Sequence, residues 1–597
     1  MAVIDEKTKK DFRRRLKRRQ EEAASSVAQA DQKIEKLLIR RIDRLVSVRR
    51  FIFLWTVLMV LIFFCTYLQI RALSPYYQSL QPVPGGLYNE GITGSFTNAN
   101  PLYATGAADA SVSRLIFSGL FKYDDNDNLV GDLATSFSLN DAQNQYVVKL
   151  RHNVKWQDGR PFTADDVVYT YRTIQNIEAQ SPLYSSWQGI TVNKADAYTV
   201  TFDLPNPLSS FPNSLINGII PEHLLSKIPA EELRSASFNS APVGTGPFEW
   251  KFIEVTGNDV TNRQQHISLA PFDHYYAGRP KLDGFSLITF NDDQQLSTAF
   301  EKKQLNAVAG LDSVPPELTN DNSVQIYSTP LTAEVDAFFN NSRPNLNDAN
   351  IRKALTAAVD RAQLVNLLGL PVKLSDSPLL KDQLGYDSSI TEQGYDLNLA
   401  NQLLDQAGWA RDPSTGLRSK SGQTLSFNLS GQNTANYTKV AGFLQAQWAK
   451  VGVKVTPSYY DSSDLQASVI GSHSYDILLY GINIGVDPDV FAYWDSSQAS
   501  LTSQGHLNLS EYKSSAADQG LEAARTRSNP TLRAIKLKAF LSAWVGDAPA
   551  LALYQPNFIY ITRGTVAHYE RKADNSTVDR FYNVANWEIR QQKQTVK

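Results

Sequence analysis

The chain has 597 residues, a formal charge of −2 and a single cysteine, Cys65. That length holds more than one hydrophobic core, and one cysteine rules out an intramolecular disulfide framework and a Cys-ligated zinc set. Residues 1–50 carry 16 Lys and Arg against 8 Asp and Glu, a local +8, so the remaining chain carries about −10, which argues against nucleic acid as its partner.

The basic segment includes KKDFRRRLKRR at Lys9 to Arg19 and ends on Arg49-Arg50. A Lys/Arg cluster of this kind sets topology and attracts anionic lipid head groups at ~1 kcal/mol per residue near a membrane. Ile34, Leu37, Leu38, Ile42 and Leu45 roughly follow helical spacing. The next stretch, Phe51 to Leu68, contains no charge, Gly or Pro. With Gln69 and Ile70 it reaches roughly 30 Å as a helix, the thickness of a bilayer core. Arg71 is the last basic residue before Arg114, so the positive-inside rule predicts residues 1–50 in the cytoplasm and the long remainder outside. No small-residue cleavage site follows Leu68, and Phe63-Phe64 stand where a lipoprotein signal needs small residues. The expectation is an uncleaved signal anchor over 51–70, placing the protein at the cell membrane as a single-pass chain.

Residues 71–84, with Pro75, Pro82 and Pro84, read as a partly stiff tether leading to Gly85-Gly86. Beyond it strands and helices interleave. Gln145 to Leu150 is strand-like, and Tyr198, Val200, Phe202 and Leu204 alternate with polar residues before Pro205. VKWQDGRPFTADDVVYTY, Val154 to Tyr171, predicts a strand, a turn at Asp158-Gly159 and a helix capped by Thr163, with Asp166 three residues on and Phe162 and Val167 as a staple. Helices are expected over Asn347 to Gly369, Asp396 to Gly408 and Asn436 to Gly452, each with glycine at the stop, and after the cap Asn529-Pro530. The chain is α/β and too long for one core.

Little in this sequence suggests catalysis. GTGP at Gly244 to Pro247 lacks the Lys-Ser/Thr of a phosphate loop and reads as a turn. The seven histidines, His152, His223, His266, His274, His473, His506 and His568, show no zinc-ligand spacing, and no nucleophile elbow is present. Asp487-Pro488-Asp489 is a turn rather than a metal pair. No enzyme activity, cofactor or metal is expected.

The Val154–Tyr171 stretch, preceded by Leu150-Arg151, resembles the signature of the family 5 extracellular solute-binding proteins, the dipeptide- and oligopeptide-binding components of ABC importers. Further segments match in family order: NPLY at Asn100, FSGLFKYD at Phe117, PVGTGPF at Pro242, FDHYYAGRPKLDGF at Phe272, FNNSRPNLNDANIRKALTAAVDR at Phe339, YDLNLANQLLDQAGW at Tyr395 and YDILLYGINIGVDPDVFAYWDSSQ at Tyr475. The resemblance implies a two-lobed periplasmic-binding-protein-like clamshell: lobe I with an extra subdomain over 85–332, lobe II over 333–552 and a return to lobe I over 553–597. It implies capture of peptides by lobe closure without chemistry, with ABC permease subunits as partners, and a monomer is expected. A non-peptide solute such as an oligosaccharide, or a sensor signalling through the span, are the alternatives; the length of the basic segment motivates the second.

The resemblance places the ligand against Gly481, Ile482, Asn483, Ile484, Asp487 and Trp494 of lobe II and against Phe96, Thr97 and Asn98 of lobe I, where backbone groups would pair with an extended peptide. One departure stands out. Family members that bind peptides carry an Asp in this loop for the ligand's α-ammonium, and here no acid lies between Gly481 and Asp487. Free-amine recognition is therefore not expected unless Asp487 or Asp489 substitutes.

Overall fold

The computed structural model describes residues 6–34, 36, 48–257, 259, 263–500 and 507–595. Leu37, Leu38, Ile42, Leu45 and His506 lie outside them. The chain forms two compact units, Met1–Gln81 with Gln591–Lys597, and Pro82–Arg590.

In the first unit, Glu6–Ile34 is helical and its basic side chains from Lys10 to Arg19 are solvent-exposed. A second helix, Arg49–Tyr77, contains the apolar stretch. Over Arg49–Ala72 it is long and apolar enough to cross a membrane. Over Arg49–Ala72 its described side chains are exposed, Phe53 and Phe63 each at 68%. Such a helix is at odds with water and suited to lipid. The helix does not stop at Ile70, and a strand, Gln78–Val83, follows it directly. Most of the segment expected as a tether over 71–84 is thus helix or strand.

The second unit holds two large sheets. The first runs in the order Val324–Pro330, Asn557–Arg563, Ala307–Ala309, Leu87–Thr93, Gly284–Phe290, Gln264–Pro271, Phe248–Thr256. Leu87–Thr93 lies parallel to both of its neighbours. The second sheet runs Lys373–Leu374, Ala550–Gln555, Ala333–Phe339, Ile477–Asn483, Ser426–Gln432, Lys454–Tyr460. Ser426–Gln432 is parallel to both neighbours, while Ala333–Phe339 is antiparallel to its two. Each sheet anchors one lobe. A separate four-stranded sheet, made from Ala134–Leu139, Gln145–Leu150, Thr199–Asp203 and Thr191–Asp196, forms the extra subdomain of lobe I.

The chain passes between the lobes twice, at Leu331-Thr332 and at Pro556. The crossings are tied together: the Leu331 amide donates to the Pro556 carbonyl at 2.9 Å, and Gln555 Nε2 donates to the Leu331 carbonyl at 2.8 Å. The second crossing, at Pro556, lies four residues beyond the boundary expected at Ala552, since Ala550–Gln555 completes the lobe II sheet. The returning segment is locked into lobe I by the fully buried Arg580, whose guanidinium reaches Glu90 Oε1 at 2.6 Å.

Local signals explain the elements. Thr163 caps Ala164–Ile174 in a full capping box with Asp166, a feature worth ~1 kcal/mol, and Phe162 and Val167 are both buried in the lobe I core. Asn529 caps Pro530–Asp547. The helix expected over Asn347 to Gly369 is two, Ala349–Ala357 and Arg361–Leu368, because the Asp360 side chain accepts from the Gln363 amide and starts a second helix. GTGP is glycine-rich for a packing reason: a Cβ on Gly244 would stand 1.9 Å from the Ile116 carbonyl oxygen.

Candidate functional site

Between the lobes beside the crossings lies a hollow of about 580 Å³. Lobe I contributes Gly310–Asp312, Phe558, Ile559 and Thr577; lobe II contributes Glu334, Gln432, Tyr437, Tyr554 and Gly481–Asn483. Ala307–Ala309, Ser426–Gln432 and Ile477–Asn483 are parallel-paired strands whose carboxyl ends open here, the usual place for ligands in α/β sheets. Its volume is within the ~300–1,000 Å³ of small-molecule pockets, and Tyr437, Tyr554 and Phe558 give it aromatic walls.

Gly481, Ile482 and Asn483 line this hollow, but the rest of the loop turns away. Ile484 is buried at 5% exposure, and the Ile484 and Gly485 amides donate to the Thr332 carbonyl at 2.9 and 3.1 Å. Gly485 sits at φ +81°, a left-handed conformation that favours glycine. Both carboxylate oxygens of Asp487 are taken by Arg533, at 2.7 and 2.5 Å. Asp489 Oδ2 accepts from Arg525 at 3.2 Å and from the lobe I hydroxyl of Ser210 at 2.8 Å. Neither acid is free to replace the missing one. Trp494, expected at the ligand, is a core residue: it is fully buried, stacked on Phe338 and edge-on to Trp544. Its pattern in sequence, an aromatic after a turn, is the same for a core and a binding residue.

Phe96, Thr97 and Asn98 do not line the hollow. Gln265 clamps Phe96, accepting from its amide at 2.7 Å and donating to its carbonyl at 2.8 Å. Asp109 accepts from the Thr97 and Asn98 amides at 2.7 and 3.2 Å. The backbone donors expected to pair with a peptide are already satisfied within lobe I, that of Phe96 by Gln265, far away in sequence, and those of Thr97 and Asn98 by Asp109 on the next helix.

Behind the hollow, the strand Ala333–Phe339 turns Glu334, Asp336 and Phe338 to one side of the sheet and Val335, Ala337 and Phe339 to the other. Glu334 and Asp336 are almost fully buried, and neither Asp336 oxygen has a hydrogen-bond partner. Glu334 accepts from Ser375 Oγ, and buried Glu392 pairs with Arg361. Facing Asp336 are Tyr480 across the strand pair, Tyr437, Glu334 and Glu392; Asp376 and Arg361 bear on Glu334 and Glu392. One arginine cannot balance three buried acids. Burial first, and then their mutual repulsion, holds Glu334 and Asp336 well above the usual carboxylate range, and burial pushes Glu392 up to about 7.

Among the described residues no group of three or more His, Cys, Asp or Glu is arranged to hold a metal ion. What the geometry offers is enclosure between two sheets joined by two strand crossings, the architecture of a binding protein that shuts on a small solute. Residues 128–502 match the bacterial extracellular solute-binding proteins, family 5 (middle region), and the chain belongs to that family. It is 28% identical over 492 residues to the oligopeptide-binding protein AppA of Bacillus subtilis, covering 80% of this chain and 87% of that one. The solved structure of that AppA with a nonapeptide superposes with a TM-score of 0.71 at 25% identity, covering 85% of this chain and all of that one. NikZ of Campylobacter jejuni, solved with Ni(L-His), gives 0.72 at 25% identity over 84% of this chain and 99% of that one.

Sequence reasoning missed Asp312, Gln432, Tyr437 and Tyr554. Gln432 and Tyr437 carried a usable signal, since a strand ending at Gln432 and a helix capped by Thr434 form a strand-turn-helix corner of the kind that binds ligands. Asp312, after a three-residue strand, carried none.

Proposed function

We propose that this protein is the solute-capturing subunit of an ABC importer, that it captures peptides, and that it does so by closing lobe I (85–332 with the returning residues after Pro556) on lobe II without chemistry. The hollow at the strand ends between the lobes carries this reading, together with the similarity to oligopeptide-binding AppA over 87% of that protein. Gly481, Ile482 and Asn483 are the ligand-facing residues of lobe II, and Ile484, Asp487 and Trp494 support them from behind. The helix Arg49–Tyr77 anchors a monomer in the cell membrane with residues 1–50 in the cytoplasm, and the permease meets the closed lobes outside.

The test is a melt combined with small-angle scattering on the full chain in detergent, with a mixture of synthetic nonapeptides as probe. Peptide at a hundred times its Kd should add ~2.7 kcal/mol of stability. The radius of gyration should fall at the same time. Stabilisation without compaction excludes capture by closure, and stabilisation by oligosaccharides but not peptides excludes the peptide reading.

A further inference from the structure

The lining of the hollow has a charge of one sign. Among the described residues it includes the carboxyl groups of Asp312 and Glu334 and no Lys, Arg or His. Burial disfavours the charged form of Glu334, which is fully buried and already takes a hydrogen bond from Ser375, so Asp312 is the carboxylate placed to face a ligand. The Asp312 backbone amide donates to Asp293 Oδ2 at 3.2 Å, which brings a second carboxylate close. Asp312 is solvent-exposed as a residue, and the partial desolvation of its carboxyl group, followed by the Asp293 charge, pushes it upward. Asp487 and Asp489, the acids of the lobe II loop, are spent on Arg533 and Arg525. On the other walls stand Tyr437, Tyr554 and Phe558, and aromatic faces attract cations.

We infer that the hollow accepts a primary ammonium group of the ligand, with Asp312 of lobe I as its counter-charge in place of an acid in the lobe II loop. The ammonium has two sources on a peptide, the amino terminus and a Lys side chain. The assignment rests on the reading of the hollow as the ligand site, and it reverses the expectation, drawn from the loop alone, that a free amine is not recognised.

Four synthetic nonapeptides of Gly, Ser and Ala serve as probes, with a free or acetylated amino terminus and with or without one central Lys, titrated by calorimetry into the full chain in detergent. A hydrogen-bonded charge pair predicts that peptides carrying an ammonium bind roughly tenfold tighter than the acetylated, Lys-free one. If acetylation alone removes the gain, the amino terminus is the source; if Lys restores it, the side chain serves as well. In Asp312→Asn the four affinities should converge to within about twofold while the melting temperature stays near that of the wild type. Equal binding of all four by the wild type, or discrimination that survives in Asp312→Asn, overturns the assignment. If no peptide binds, the peptide reading fails and the charge assignment is decided with spermidine: stabilisation of the wild type but not of Asp312→Asn supports it, and equal melts overturn it.

Discussion

Ser210 of lobe I donates its hydroxyl hydrogen to Asp489 of lobe II across 2.8 Å, and the adjacent Ser209 amide donates to the Arg525 carbonyl at 2.8 Å. Arg525 itself lies over the Phe491 ring at 4.0 Å and pairs with Asp489, so the acceptor is held in place. These bonds join the lobes at Ser209-Ser210, in a place separate from the strand crossings at Leu331-Thr332 and Pro556. Interactions present only when the lobes are shut add to ligand affinity without touching ligand. Ser210→Ala should therefore weaken binding of the nonapeptide mixture by roughly three- to tenfold, the ~0.5–1.5 kcal/mol that a typical intramolecular hydrogen bond contributes. Ser210→Thr, which keeps the hydroxyl, should restore it. Unchanged affinity in Ser210→Ala would show that the contact contributes nothing to closure.

A second pair carries stability rather than function. Arg580 and Glu90 are both fully buried, and Tyr560 donates to Glu90 Oε2 at 2.7 Å, so the chain's return to lobe I is fixed to the first sheet through one ion pair. Arg580→Ala leaves a carboxylate buried without its cation, which typically costs ~3–5 kcal/mol. The double variant Arg580→Met with Glu90→Gln should recover much of this loss. Melting temperatures of the three proteins provide the check, and a mild effect of Arg580→Ala alone would contradict the role given to the pair.

The buried acids of lobe II predict a pH dependence of unusual sign. Asp336 is held above its ordinary range by burial and by Glu334 and Glu392. The folded protein thus keeps a proton that the unfolded chain releases near pH ~4, and stability falls as pH rises from there through the folded value. Glu392, raised to about 7, adds to the fall up to neutrality. Asp336→Asn removes one such proton and should flatten the decline of melting temperature between pH 5 and 8, raising it most at the alkaline end. A variant whose pH profile parallels the wild type's shows that Asp336 does not hold that proton.

Topology is tested on intact cells. With residues 1–50 inside, added protease should degrade the lobes and spare the basic segment. Loss of that segment before lysis, or a mature chain beginning beyond Ile70, refutes the anchor.

Much of the fold was legible because its signals are local: Thr163 and Asp166 mark one helix start, Asn529-Pro530 another, and the ordered motifs from Asn100 to Gln498 mark the family. The site was less legible, for physical reasons. Phe96, Thr97 and Asn98 look available in sequence, yet their amides are taken by the distant Gln265 and by Asp109 of the following helix. Trp494 shows how little an aromatic alone distinguishes core from cleft. Asp487 and Asp489 read as candidate ligand groups until Arg533 and Arg525, more than thirty residues away, are seen to neutralise them. Asp312 joins the hollow only because a short strand of lobe I ends beside lobe II.

Native mass spectrometry of the full chain, released gently from detergent after purification from its own membrane, tests the central claim most directly. Capture of peptides predicts a series of adducts whose masses resolve, on fragmentation, into amino-acid sequences, and whose occupancy falls when the hollow-facing Gly481 is replaced by Trp. Adducts that fragment as sugars, or peptide adducts that persist undiminished in Gly481→Trp, would contradict it.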